Sequence, residues 1–133
     1  MEMQEVRGFN HLTLNVGNLE KTISFYTEIL QMTLCHRGRR DAYLEWGNAW
    51  ICIVEEPDFA SVPARVLGMN HIAFYIEESG FQSAVRLLRE RGVTIVRGPL
   101  KRGAGWSVNF LDNNGIEFEL HTSTLAERMS VWS

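Results

Sequence analysis

Two cysteines in 133 residues, Cys35 and Cys52, are too few for a disulfide framework. No apolar run is long enough to cross a bilayer, and no charged-then-apolar leader opens the chain. The expectation is a soluble protein of the reducing cytoplasm. An excess of basic charge is also missing: 13 Lys and Arg against 16 Asp and Glu leave a net charge of −3 and a pI near 5.8. That balance argues against nucleic acid or an anionic membrane as the main partner. Only three prolines occur, and two of them fall in residues 56–67, a stretch of little periodicity. The length fits one compact domain, and a composition 45% hydrophobic and 22% charged is ordinary for a globular protein.

What the chain does contain is one phrase written twice. Gly8-Phe9-Asn10-His11-Leu12-Thr13-Leu14-Asn15-Val16 is matched by Gly68-Met69-Asn70-His71-Ile72-Ala73-Phe74-Tyr75-Ile76. Each has Gly, then Asn-His, then a largely apolar strand. An internal repeat implies one structural unit used twice. It also puts a metal-capable imidazole at the same point of both units.

The segments that follow agree. A strand over about Phe9–Val16 has His11, Thr13 and Asn15 on one face and Leu12, Leu14 and Val16 on the other. Asn18 is placed to cap a helix over about Leu19–Leu30, where Ile23, Tyr26 and Leu30 recur at helical spacing and Phe25 and Ile29 widen the stripe. Strands are expected at about Thr33–Arg37, Ala42–Trp46 and Ala49–Glu55, with Gly47-Asn48 turning between the last two. Residues 56–67 connect the halves. The second unit reads as strand His71–Ile76, helix Gly80–Arg91 stopped at Gly92, and strand Thr94–Arg97. A Gly-rich loop from Gly98 to Gly105 carries Lys101 and Arg102, and strands Trp106–Leu111 and Ile116–His121 form a hairpin about Asn114-Gly115. Thr124 and Glu127 are spaced as a capping box for a short last helix over about 124–131. The fold class is therefore α+β, with two tandem βαβββ modules (about 8–56 and 68–122) pairing their sheets around a concave pocket.

Aligning the two hairpin turns matches Glu119 with Cys52. The second half then offers His71 plus a carboxylate, and the first offers His11 plus a thiol. Two imidazoles and one carboxylate with open positions are the donor set of catalytic zinc sites and of two-His-one-carboxylate iron sites. Strand histidines taken singly are more often structural, but a core histidine has no reason to recur in the same phrase. Glu119, between Phe118 and Leu120, is either edge-exposed or a paired inward charge. His121 is the rival ligand. Cys52 reads as core and His36 as surface.

Asn-His-Leu-Thr-Leu at 10–14, Asn-His-Ile-Ala-Phe at 70–74, and Phe-Glu-Leu-His at 118–121 followed by Thr-Leu-Ala-Glu-Arg at 124–128 resemble the vicinal-oxygen-chelate superfamily. Within it they most resemble the fosfomycin-resistance proteins, over about residues 8–130. The resemblance implies a homodimer with shared metal sites, His11 coming from one subunit and His71 and Glu119 from the other. It implies a divalent metal, Mn2+ foremost, with Fe2+, Zn2+ or Ni2+ as alternatives. The implied substrate is a small fosfomycin-like anion whose epoxide the metal polarises while a nucleophile opens the ring. By the same resemblance Thr13 lies near the epoxide oxygen, Tyr43 and Trp50 form an aromatic wall, and Ser107 and Arg128 bind the phosphonate. Read bare, Tyr43 and Trp50 are equally core aromatics, Ser107 an ordinary strand residue and Arg128 an exposed charge. Lys101 and Arg102 are placed to complete a cationic pocket for a dianion.

The family divides by nucleophile: glutathione or bacillithiol in transferases, water in a hydrolase. The Pro99–Ser107 segment resembles the hydrolase branch, and Asp41 falls where that branch keeps a glutamate base. The bare reading of Asp41 is a polar residue opening a strand. Arg37-Gly38-Arg39-Arg40 resembles the bacillithiol branch instead. Asn109 stands where these proteins usually have a phosphonate-holding tyrosine, and Pro99 where the glutathione branch has a lysine. The reading favours an epoxide hydrolase over a thiol transferase. The alternatives are an Fe(II)-dependent extradiol-type dioxygenase, which uses the same three donors, and a non-enzymatic drug-binding module of the same fold. A glyoxalase-type isomerase is disfavoured by Cys52, where a fourth ligand would stand.

Overall fold

The computed structural model describes residues 2–63 and 66–131. Module one runs β1 (Leu12–Val16), α1 (Leu19–Ser24), β2 (Thr33–Arg37), β3 (Asp41–Trp46) and β4 (Ala49–Glu55). Module two runs β5 (Ile72–Tyr75), α2 (Glu78–Glu90), β6 (Ile95–Arg102), β7 (Gly105–Leu111) and β8 (Glu117–His121), and α3 (Leu125–Ser130) follows. Each module is βαβββ. The sheets have the same order, β1-β4-β3-β2 and β5-β8-β7-β6, with one parallel pair (β1 with β4, β5 with β8) in each.

The caps form as the sequence requires. Asn18 Oδ1 accepts from Lys21 N at 2.9 Å. Thr124 and Glu127 close a reciprocal capping box at 3.2 and 3.0 Å. The first helix does not stay a regular α-helix to Leu30. From Phe25 to Ile29 it widens to a π-turn, which Leu30 N closes on Phe25 O at 3.1 Å.

The larger departure is β6. Glycine and proline predict a loop from Gly98, yet the strand continues to Arg102 and only the Gly103-Ala104 tip turns. Proline lacks a ladder donor and is tolerated on an edge strand. β6 is such an edge, and its register shifts between Arg97 and Leu100, where Gly98 and Pro99 lie. Gly98 is obligatory there. Its φ is +84°, and a Cβ would meet Ser107 O at 2.6 Å. Both histidine-bearing strands also begin later than expected, so His11 and His71 sit one residue before β1 and β5.

The apolar faces of both sheets join one core built from Leu14, Val16, Tyr26, Leu44, Ile51, Phe81, Val85, Phe110 and Phe118, among others. The modules are joined where the β7–β8 turn meets α1. Tyr26, fully buried, donates its hydroxyl to Asp112 Oδ2 at 2.7 Å, and Asn113 Nδ2 donates to Thr22 Oγ1 at 3.0 Å. Tyr26 and Phe118 rings lie 5.7 Å apart, and Trp46 and Phe74 rings 4.8 Å apart.

Burial, and then the neighbouring Asp112 carboxylate, push the Tyr26 phenol well above its ordinary range. A folded-state pKa raised above the unfolded one adds stability that is complete below the unfolded value, near 10, and is lost as pH climbs through the folded value. We expect Tyr26→Phe to cost about 1.5–3 kcal/mol at neutral pH through the lost bond to a charged acceptor. It should also flatten the decline in stability above pH 10. Urea melts of both proteins at neutral pH and above pH 10 measure the two effects together.

Candidate metal and substrate site

The strand registers define a grid on the open face of each sheet, because residues paired across neighbouring strands share a face. In module one Thr13 pairs with Cys52, Cys52 with Tyr43, and Tyr43 with His36. On one side of that row lie Trp50 and Glu45, near His11, and on the other Asn15, Val54 and Asp41. In module two the corresponding central row is Ala73, Glu119, Asn109 and Arg97. Its neighbours are Glu117 and Leu111, near His71, and Tyr75, His121, Ser107 and Leu100. Glu119 therefore occupies the grid point of Cys52, as the turn alignment requires. Asn109 occupies that of Tyr43, Ser107 that of Asp41, and Glu117 that of Trp50.

Glu119 is 5% exposed. Its Oε1 lies 2.8 Å from His71 Nε2, and its Oε2 lies 2.8 Å from His121 Nδ1. His121 Nε2 in turn meets Ser123 Oγ at 2.7 Å. His121, the sequence's rival to Glu119, is thus the side chain that holds the second carboxylate oxygen. An unpaired buried carboxylate costs several kcal/mol, and these contacts offset that cost.

Both repeated histidines have the same anchor. His71 Nδ1 meets Asn70 Oδ1 at 2.6 Å, and His11 Nδ1 meets Asn10 Oδ1 at 2.6 Å. A carboxamide oxygen accepts only, so Nδ1 carries the proton and Nε2 is the end left for a ligand. At His71 that Nε2 faces a carboxylate oxygen. Two lone pairs at that separation require a proton or a cation between them. The donor chemistry fits a divalent cation.

The third expected donor lies elsewhere within one chain. The His11 ring rests on Trp50, with centroids 4.5 Å apart. Among the described residues no three His, Cys, Asp or Glu side chains are arranged to hold a metal ion within a single chain. From His11 a series of ring contacts runs across the open face of module one. Trp50 lies 5.9 Å from Tyr43, and Tyr43 lies 5.4 Å from His36. Tyr43 and Trp50, each 40% exposed, line this face instead of filling the core. Thr13 and Asp41 lie on the same face, Thr13 exposed and Asp41 half-buried. Cys52 is buried at 7% exposure.

A cavity of about 500 Å³ opens over His71, Glu119 and His121, with Arg102 and Arg128 on its wall. Strand alternation separates the two basic residues expected together in a loop. Arg102 pairs with Gly105 and shares the cavity face, whereas Lys101 pairs with Trp106 on the face covered by α2, whose Phe81 ring is 6.3 Å from Trp106. Ser107, fully buried, lies on the cavity face of β7. A larger cavity, about 590 Å³, lies between the modules beside Trp46, Phe74 and Leu87, and no histidine or carboxylate lines it.

The sequence reading passed over the two asparagine anchors, although Asn10 and Asn70 recur as faithfully as the histidines. It also passed over Gly103. A Cβ there would fall 2.6 Å from Arg128 Nη1 and 3.0 Å from Arg128 Cδ, so the β6–β7 tip sets where that guanidinium rests. Gly47 has nearly the same φ, +58° against +59°, with no atom within 4 Å of a Cβ. Alanine at either position should cost about 1–2 kcal/mol of backbone strain. Only Gly103→Ala should also displace the Arg128 guanidinium, and any sulfate held by that group should then bind several-fold more weakly. Thermal melts and calorimetric sulfate titrations of the two variants separate these effects.

Set beside known proteins, residues 8–120 match the profile of the Glyoxalase/Bleomycin resistance protein/Dioxygenase superfamily. The chain is 36% identical over 125 residues to "Glutathione transferase FosA" of Serratia marcescens, covering 94% of this chain and 87% of that one. It is likewise 36% identical over 131 residues to "Metallothiol transferase FosB" of Staphylococcus epidermidis, covering 96% and 90%. Among solved structures, the fosfomycin resistance protein FosX of Listeria monocytogenes, complexed with Mn(II) and sulfate, superposes with a TM-score of 0.79 at 31% identity, covering 95% and 98%. The chain belongs to the glyoxalase/bleomycin-resistance/dioxygenase superfamily, close to its fosfomycin-resistance proteins.

Proposed function

We propose that this protein is a metal-dependent enzyme that opens the epoxide of a small fosfomycin-like phosphonate by adding water, with thiol addition as the competing chemistry. The observation that carries this reading is the pair His71 Nε2 and Glu119 Oε1, 2.8 Å apart, with the imidazole already committed at Nδ1 to Asn70. Its relatives are named as glutathione and metallothiol transferases, and the structure it resembles is a fosfomycin resistance protein holding Mn(II).

In this reading His71 and Glu119 hold a divalent cation, Mn2+ foremost, together with the partner subunit's His11. That sharing explains why His11 of the same chain is turned to Trp50. It also gives a use to β1 and β5, edge strands that, among the described residues, are each paired on one side only. The chemistry that the cation supplies when bound is Lewis-acid polarisation of the epoxide oxygen. Asn10 and Asn70 keep both imidazoles in the ligating tautomer, and His121 holds the far oxygen of Glu119. Arg102 and Arg128 neutralise the phosphonate, and Ser107 donates a hydrogen bond to the substrate. Tyr43 and Trp50 wall off the carbon skeleton, and Thr13 stands on the His11 face, toward the ring oxygen.

Asp41 is the proton acceptor in the water reaction. It takes a proton from water as the water oxygen bonds to a ring carbon, and the C–O bond of that carbon breaks. The released ring oxygen takes up a proton from solvent and Asp41 returns its own to solvent, so the product is a vicinal diol. With glutathione or bacillithiol the new bond is C–S and Asp41 has no role.

Glu119→Ala should abolish Mn2+ binding without unfolding the chain. Unchanged Mn2+ affinity by calorimetry in that variant would transfer the ligand role elsewhere. Phosphorus NMR of wild type with fosfomycin and Mn2+ decides the nucleophile. We expect diol without thiol and its loss in Asp41→Asn, whereas product that forms only after glutathione or bacillithiol is added assigns the transferase.

A further inference from the structure

Asn109 and Ser107 lie two residues apart on β7, on the face that carries Glu119 and His121. They are 3% and 0% exposed. Asn109 Nδ2 donates to Glu117 Oε2 at 2.8 Å. Because a carboxylate accepts only, this bond fixes the amide with its NH2 toward Glu117 and its carbonyl turned away. That carbonyl oxygen and the Ser107 hydroxyl are both buried without a hydrogen-bond partner. Folded proteins seldom bury such atoms unpaired, and here two occur together beside Glu119 and His121.

The two orphan atoms differ chemically. Ser107 Oγ donates and accepts, whereas Asn109 Oδ1 only accepts. An ionised phosphonate oxygen suits the serine but presents a lone pair to the amide carbonyl. A hydroxyl group suits both, accepting from Ser107 and donating to Asn109.

We propose that Asn109 is a specificity-determining residue, forming with Ser107 a subsite for a hydroxyl group. The substrate class is then a small metal-chelating phosphonate that also carries a hydroxyl. Glu117 is the positioning residue, since its carboxylate sets which end of the amide meets the ligand. The inference rests on the reading of the cavity as a metal and phosphonate site, and its test is built to fail separately.

The test is calorimetric titration of Mn2+-loaded protein with propylphosphonate and with 1-, 2- and 3-hydroxypropylphosphonate. At least one hydroxylated ligand should bind about tenfold more tightly than propylphosphonate. A hydroxyl can also reach the cation, so the deciding quantity is how the preference changes on mutation. Asn109→Leu should reduce the ratio to about one while Mn2+ affinity holds. Glu117→Gln, a milder change that frees the amide to turn, should reduce it several-fold and serves if Asn109→Leu does not fold. A preference unchanged in the folded variants, or absent in wild type, overturns the subsite and leaves the phosphonate reading standing. Binding of none of the four ligands by protein that holds Mn2+ overturns both.

Discussion

A buried carboxylate without counter-charge is among the most expensive features a small domain can carry, and Glu119 is one that its immediate neighbours in sequence do not relieve. Phe118 and Leu120, its neighbours in sequence, belong to the core. Relief comes across the sheet, from His71 at the start of β5, and along β8, from His121. Those contacts depend on β5 lying parallel beside β8 in the observed register. The same register in module one sets Cys52 beside Thr13 and leaves that grid point uncharged. One module thus concentrates negative charge at the point where the other supplies aromatic surface.

Much of this was legible in the sequence, for identifiable reasons. The doubled Gly-x-Asn-His phrase announced the repeat, and alternation within Leu12–Val16 put Thr13 on the face of His11. Counting from the hairpin turns matched Glu119 with Cys52 before any register was known. What escaped the sequence was what depends on neighbours in space. Gly98 and Pro99 read as a loop because local propensity is silent about an edge strand, where a missing N–H goes unnoticed. Once β6 continues, alternation carries Lys101 away from Arg102. His121 and Glu119 were rivals in one dimension and are partners in three. The π-turn at Phe25–Ile29 has no signature separable from a regular helix.

The second module differs from the first in how it spends polar atoms. Tyr26 with Asp112, and Trp106 N with Thr122 Oγ1, are fully made bonds that fasten the β7–β8 turn and the approach to α3. Ser107 and Asn109, on the strand between them, are left incomplete. Rigid flanks around unsatisfied atoms are what a binding surface needs, since a ligand then meets groups already in place and no ordering cost remains for it to offset.

The unequal quality of the sheet edges has a consequence for edge-to-edge association. Two of the sheet edges are irregular: β2 bulges between Leu34 and His36, and β6 loses register around Pro99. The other two edges, β1 and β5, run in unbroken register with their neighbours. Edge-to-edge growth is therefore open on one side of each module and blunted on the other. Among the described residues, β1 and β5 are therefore the sheet edges of regular register. The strands in unbroken register are also the ones that His11 and His71 directly precede.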